Sequence, residues 1–335
     1  MAMVFVIFFF FHCDFRMSSW DYFIATAVLY TLCWLYSQCK TYFEHGIRHK
    51  ARLVSESEYT LRITIDTRME WGPGQHVFLR FITCGIHSVT AHPFTICSMP
   101  QRDRQNQLIF YVKERGGLTG RLMALSRKNP DIQIPVLIDG PYGGIPEGQL
   151  GQFEKNIIIG GGAGAGLTLA LIEEFIRFAP SQPEREMSVV VATRDPGMRA
   201  WYIQTLRDLL ERHPQEKPIA GLSICIHETF AEGKVQQVGA ENVKVASKTE
   251  NVHLKESNPS MIELFNIQLL TGRPDLQTAI QQMSKLEGVS VGVVVCGPSS
   301  MIQDVREAAS VAQRDILSGK SGCARELWLH SEKFS

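Results

Sequence analysis

Apolar positions crowd the front of the chain. Ala2 to Phe11 carries no polar side chain, and Trp20 to Tyr36 is interrupted only by Asp21, tyrosines and threonines. The second run has the length of a membrane-crossing helix, roughly 17–25 residues, and Trp20, Tyr22, Trp34 and Tyr36 sit near its ends as interfacial aromatics do. It predicts a span over about residues 20–39. Lys40, Arg48, His49, Lys50 and Arg52 follow, a basic cluster that puts the rest of the chain on the cytoplasmic side. The first run is too short to cross a hydrocarbon core of about 30 Å. It reads as the end of a helix whose beginning is missing, joined to the second by a turn near Asp14 to Ser19. A cleaved signal peptide is the alternative, but neither a basic leading segment nor a small-residue cleavage site flanks the phenylalanines.

From Ala51 to Gly144 the pattern changes to short alternating or β-rich runs broken by turn residues: Leu61 to Thr67, His76 to Ile82, Phe94 to Cys97, Leu108 to Val112 and Ile134 to Ile138. One helical stretch, Leu118 to Ser126, follows Gly116-Gly117. A small antiparallel β-barrel with a single helix is the expected architecture. From Asn156 strands and helices alternate: Ile157 to Ile159, Leu167 to Phe178, Ser188 to Ala192, Met198 to Arg212 and Leu222 to Ile226. After a gap come Ile267 to Leu270, Leu276 to Leu286, Val289 to Cys296, Ser299 to Ala312 and Glu326 to Leu329. Such alternation predicts an α/β, Rossmann-like domain with a parallel sheet covered on both faces. The polar, aperiodic stretch at about 232–260 reads as an insertion. The expected division is 1–47 for the membrane remnant, 48–150 for the barrel and 151–335 for the α/β domain.

Composition narrows the function classes. Lysine plus arginine balances aspartate plus glutamate at 34 each, so no net field draws the chain to nucleic acid. The cysteines, at 13, 33, 39, 84, 97, 225, 296 and 323, form no Cys-x-x-Cys pair and have no histidines at zinc-ligand spacing beside them, which argues against a disulfide framework or a structural zinc.

The chemistry begins at Gly160-Gly161-Gly162-Ala163-Gly164-Ala165-Gly166, which follows an apolar strand and opens a helix. A dinucleotide pyrophosphate fits there, because glycines admit close backbone approach and the free amides and dipole of the helix start stabilise negative charge. The bland alternative is a flexible hinge. The next strand ends in Thr193-Arg194-Asp195. Arg194 is placed to neutralise a 2′-phosphate, favouring NADPH, while Asp195 beside it argues for NADH; a plain solvated arginine is the other reading.

Three further motifs stand in order: Ala91-His92-Pro93-Phe94-Thr95, Lys113-Glu114-Arg115-Gly116-Gly117-Leu118-Thr119, and Asp139-Gly140-Pro141-Tyr142-Gly143-Gly144. With the glycine loop, Cys296-Gly297-Pro298 and an aromatic near the C-terminus, they resemble the ferredoxin-NADP reductase superfamily. Within it the chain resembles the ferric reductase and NADPH oxidase branch, where His-Pro-Phe-Thr replaces the more general Arg-x-Tyr-Ser/Thr, and specifically the fungal ferric reductases. The resemblance covers nearly the whole chain. It implies an FAD-binding barrel and an NADPH-binding domain, hydride transfer from NADPH to FAD, and one-electron delivery through membrane haems to ferric or cupric chelates. His92, Pro93, Phe94 and Thr95 would line the FAD, with Gly117 and Thr119 at its diphosphate. Gly160, Gly162, Gly164, Gly166 and Thr168 would belong to the NADPH site with Gly297 and Pro298, and Cys296 would lie beside the nicotinamide. Arg273, in Gly272-Arg273-Pro274, is a second candidate for the 2′-phosphate, and Phe334 would stack on the flavin. The tryptophan that ends the family pattern is absent. His12 resembles a haem ligand whose partners are not in the sequence, so haem b is expected only in full-length relatives. The same resemblance implies a membrane location, plasma membrane first, with both cofactor domains cytoplasmic. A superoxide-producing NADPH oxidase and a non-catalytic fragment are the competing readings.

Overall fold

The computed structural model describes residues 20–82, 90–101, 106–146, 148–178, 184–214, 218–229 and 259–333. His12, Phe334 and nearly all of the polar stretch at 232–260 lie outside them.

The chain enters as helix α1 (Trp20–Phe43), 24 residues long. At 1.5 Å per residue it extends about 36 Å, so length is adequate for a bilayer. Composition is not. Among the described residues no helix is long and apolar enough to cross a membrane, which corrects the span expected over residues 20–39. Asp21, the tyrosines at 22, 30, 36 and 42, and Ser37, Gln38 and Lys40 dilute the apolar run. The apolar side chains that remain are nonetheless uncovered: Ile24, Leu29 and Leu32 are 56, 64 and 58% exposed. The C-terminal end of α1 is docked. Arg80 donates to Gln38 Oε1 (2.8 Å), Lys40 Nζ donates to the Tyr142 hydroxyl (3.0 Å), and His45 Nε2 lies 2.6 Å from the Gly140 carbonyl.

Six antiparallel strands build the first domain: β1 (Lys50–Ser55), β2 (Thr60–Thr67), β3 (His76–Phe81), β4 (His92–Thr95), β5 (Asn106–Lys113) and β6 (Gln133–Tyr142), in the order β4-β3-β6-β1-β2-β5. Alternation fixes their inner face. Ala51 and Leu53, Leu61, Ile63 and Ile65, and Val77, Leu79 and Phe81 are all fully or almost fully buried. Just beyond β4, Cys97 N–H donates to the Ile109 carbonyl of β5 (2.8 Å), joining the two ends of the strand order into a barrel. Helix α2 (Gly117–Lys128) plugs it with Leu118, Leu122 and Met123.

Six parallel strands build the second: β7 (Lys155–Gly161), β8 (Glu186–Thr193), β9 (Leu222–Glu228), β10 (Ile267–Thr271), β11 (Ser290–Gly297) and β12 (Glu326–Lys333). Their order is β10-β9-β8-β7-β11-β12. Helices α3 (Ala165–Phe178), α4 (Pro196–Arg212), α5 (Pro259–Leu264), α6 (Leu276–Ser284) and α7 (Ser299–Leu317) connect them. The central strands β7 and β11 are buried on both faces, which is why they read as unbroken apolar runs. The order reverses between these two strands, and in open parallel sheets the crevice beyond such a switch point is where ligands bind.

The two domains share a core. Cys97 and Tyr111 of the barrel belong to the apolar cluster built by α3, α4 and the parallel strands. The Tyr111 ring meets that of Trp201 at 3.9 Å between centroids. Polar contacts reinforce the junction: Ser57 Oγ donates to Asp195 Oδ2 (3.0 Å), and Arg177 Nη1 donates to the Pro100 carbonyl (2.7 Å).

Candidate functional site

On the barrel, β4 pairs with β3 so that His92 faces Leu79 and Thr95 faces His76. Alternation splits the His-Pro-Phe-Thr motif. Phe94 turns into the barrel, edge-on to Phe81 and Phe110 at 6.3 and 6.2 Å, so its ring serves packing, while Pro93 is exposed. His92 Nε2 lies 2.9 Å from Thr90 Oγ1.

The Lys113 to Thr119 motif forms the start of α2. Gly116 and Gly117 adopt φ of 92° and 55°, values that favour glycine. A Cβ added at either would meet nothing within 4 Å, so the turn stands beside free space. No side chain caps this helix start. Thr119 Oγ1 accepts from Arg115 N–H and donates to the Gly116 carbonyl, both at 3.0 Å, and so braces the turn. Uncapped amides with no acidic residue in the first turn make a cradle for a diphosphate.

The glycine loop proves more diverse than its composition. An added Cβ at Gly160 would strike Thr168 Cγ2 at 2.7 Å, one at Gly164 would collide with the Cys296 carbonyl, and one at Gly166 would reach Cys97 Sγ at 2.5 Å. Those three glycines let β7, β11, α3 and the barrel approach one another. Gly162 differs: its φ is 56° and nothing lies within 4 Å of an added Cβ, so it is the member of the run that faces open space. Thr168 departs from the expected cofactor contact. It is fully buried, and its hydroxyl is taken up by the Ala165 carbonyl (2.7 Å) and the Tyr202 hydroxyl (2.6 Å).

Across the switch point, β11 ends in Cys296 and Gly297, and Pro298 precedes α7. Gly161 packs against Pro298, where an added Cβ would lie 2.8 Å from Pro298 Cδ. Cys296 is fully buried. Burial, with the Glu332 carboxylate and Cys97 adding to it, pushes its thiol far up, so the sulfur stays protonated. Burial likewise raises Cys97 to about 12.

Glu332 was not singled out from the sequence. It pairs in register with Cys296 on β12, lies 3.2 Å from His330 Nε2, and stands 3.5 Å from where a Cβ on Gly74 of the barrel would be. It therefore sits where the two domains face each other. The legible signal was period-two alternation, which puts His330 and Glu332 on one side of the last strand.

At the far end of the sheet edge, Arg194 follows β8 and Arg273 follows β10, both exposed, with β9 between them. Two strand spacings of about 4.8 Å separate their strands, within reach of one phosphate for long side chains. Asp195 is otherwise occupied: it caps α4 through Gly197 N–H (2.9 Å) and accepts from Ser57. His227 Nδ1 lies 3.3 Å from the Gly272 carbonyl, tying the end of β9 to the turn after β10, and Arg199 of α4 pairs with Glu228 at the end of β9. Among the described residues no group of three or more His, Cys, Asp or Glu is placed to hold a metal ion.

Residues 46–145 match the family model described as FAD-binding domain, and residues 153–310 match that of the ferric reductase NAD binding domain. A probable ferric reductase transmembrane component of Candida albicans is 24% identical over 279 residues, 80% of this chain and 39% of that protein. Ferric/cupric reductase transmembrane component 7 of Saccharomyces cerevisiae is 29% identical over 52% of this chain and 28% of its own length. The chain thus spans about two fifths or less of these relatives. Among solved structures, a ferredoxin NADP+ reductase from Neisseria gonorrhoeae, with bound FAD and NADP, superposes with a TM-score of 0.51 at 13% identity, over 84% of this chain and 97% of that one. The ferredoxin reductase of carbazole 1,9a-dioxygenase gives 0.51 at 15%, over 87% and 70%. These likenesses establish a shared two-domain fold.

Proposed function

The chain belongs to the ferric reductase family, and on that premise we propose that it is a membrane-attached oxidoreductase that oxidises NADPH and passes electrons singly to ferric or cupric chelates. The observation that carries this reading is the meeting of three features at one place. The open Gly162 turn, the protonated Cys296 thiol and the Glu332 carboxylate lie at the switch point of the parallel sheet, on the side that faces the barrel.

Residues 48–150 hold the FAD and residues 151–335 the nucleotide. The amides at Gly116 and Gly117, with the dipole of α2, bind the FAD diphosphate, and His92, Pro93 and Thr95 border the flavin beside them. The Gly162 turn and the start of α3 take the NADPH pyrophosphate. Arg194 and Arg273 neutralise the 2′-phosphate from the two sides of β9. Gly297 and Pro298 set the turn that brings Cys296 against the nicotinamide, where a neutral thiol offers a soft contact without adding negative charge. Bound FAD supplies the conversion of one hydride into two single electrons. The overall reaction balances as NADPH and two ferric ions giving NADP+, a proton and two ferrous ions. Membrane attachment follows the relatives, which are named transmembrane components, and the uncovered apolar side chains of α1 support it.

Full-length protein purified in mild detergent should be yellow, bleach on anaerobic addition of NADPH, and reduce a ferric chelate in the stoichiometry above. Folded protein that retains no flavin at micromolar FAD overturns the reading, and rapid oxygen consumption without chelate reduction would move it to a superoxide producer.

A further inference from the structure

A cavity of about 1300 Å³ lies away from the cofactor junction. It lies between the last turns of α1, the 44–49 linker and the outer face of β1 and β2, and Arg48, Lys50, Arg52 and Arg68 line it with Tyr42 and Phe43. The charges do not cancel internally. Arg52 is paired with Asp131 (2.9 Å) and Glu44 with Lys40 (3.4 Å), while Asp66 accepts from the neutral Gln107 Nε2 (2.8 Å) and keeps its charge, one carboxylate against the three cations that follow. Among the described residues Arg48, Lys50 and Arg68 make no ion pair or side-chain hydrogen bond, and all three are exposed.

From these observations we propose that the groove binds the headgroup of an anionic phospholipid, with Arg48, Lys50 and Arg68 on its phosphate and its acyl chains along α1. The occupant follows from the two chemistries that meet there. Three unpaired cations call for an anion, and the same cavity runs onto Leu35, Tyr42 and Phe43, which continue into the uncovered apolar surface of α1. A small free anion satisfies the cations and leaves that surface in water. An amphiphile satisfies both. None of the residues lining the groove is among those placed above at the FAD or nucleotide sites, so its loss should leave FAD binding intact.

The inference rests on the membrane reading, and flotation of the full chain with vesicles separates the two. Partition into phosphatidylcholine vesicles reports apolar attachment; vesicles with about one-fifth phosphatidylserine report the headgroup site. The chain should prefer the anionic vesicles, and R48Q/K50Q/R68Q should weaken that binding about a hundredfold, at roughly fivefold per cation. Its flavin content and its partition into neutral vesicles should not change. Equal partition of the unaltered chain into both vesicles overturns the headgroup site and leaves membrane attachment standing. Binding to neither overturns both. Full competition by inorganic phosphate, with no preference between vesicles, makes the groove a small-anion site and overturns the proposal.

Discussion

At the residue scale, the two arginines at the sheet edge decide between nucleotides. Arg194 and Arg273 stand at the ends of β8 and β10, and of the described acidic residues nearby Asp195 caps α4 and Glu228 is held by Arg199. A charge-assisted contact to a phosphate contributes about 1.5–3 kcal/mol. Arg194→Ala and Arg273→Ala should therefore each raise the KM for NADPH roughly ten- to a hundredfold while leaving NADH use nearly unchanged. Steady-state kinetics with both nucleotides tests this, and equal losses would assign the arginine a structural role. Arg194 was legible because a strand end is a definite place. The division of labour among the glycines was not, because Gly160, Gly164 and Gly166 answer to Thr168, Cys296 and Cys97, partners from 8 to 132 positions away whose proximity only the folded chain reveals.

At the element scale, α3 carries a buried carboxylate. Glu173 is only 2% exposed and meets Arg177 (2.6 Å), Arg212 (3.4 Å) and His213 (3.1 Å). Burial alone would push its pKa up, but His213, Arg212 and Arg177 together outweigh that and hold it below the ordinary value. A depressed folded-state pKa gives stability that is present above the unfolded pKa and is lost as pH falls through the folded one. Glu173→Gln should cost about 2 kcal/mol near neutrality, below the roughly 3–5 of a fully buried pair because both arginines stay partly in water. The difference from the unaltered chain should shrink below about pH 4; urea titrations across that range measure it. The elements themselves were largely readable from period. One exception is β1, whose Lys50 and Arg52 face outward and hide a strand inside a basic cluster, while only Ala51 and Leu53 mark its inner face as apolar.

At the scale of the whole molecule, the domains are joined by a core rather than by a hinge. Tyr111 stands on β5 of the barrel, yet it belongs to the cluster of α3, α4 and the parallel strands and not to the barrel's own. Tyr111→Ala should cost about 3 kcal/mol at the junction while sparing the barrel interior. Calorimetry should then resolve two melting steps where the unaltered chain shows one. A single unshifted transition would mean that Ser57–Asp195 and Arg177–Pro100 suffice to couple the halves. The two domains and their sheet types follow from sequence rhythm, because alternation at two residues and strand–helix alternation are local. Their shared core is not local, and no pattern within either half announces it.

The contact of Tyr111 with Trp201 also has an optical meaning. Trp201 is 6% exposed. Its ring lies against an aromatic ring of the other domain, whereas Trp328 stacks on Phe153 within its own. Any motion that parts barrel from parallel sheet admits water to that indole first, and its emission shifts to longer wavelength before either domain loses its strands. The chain thus carries its own fluorescent gauge of domain separation, readable during turnover without a label.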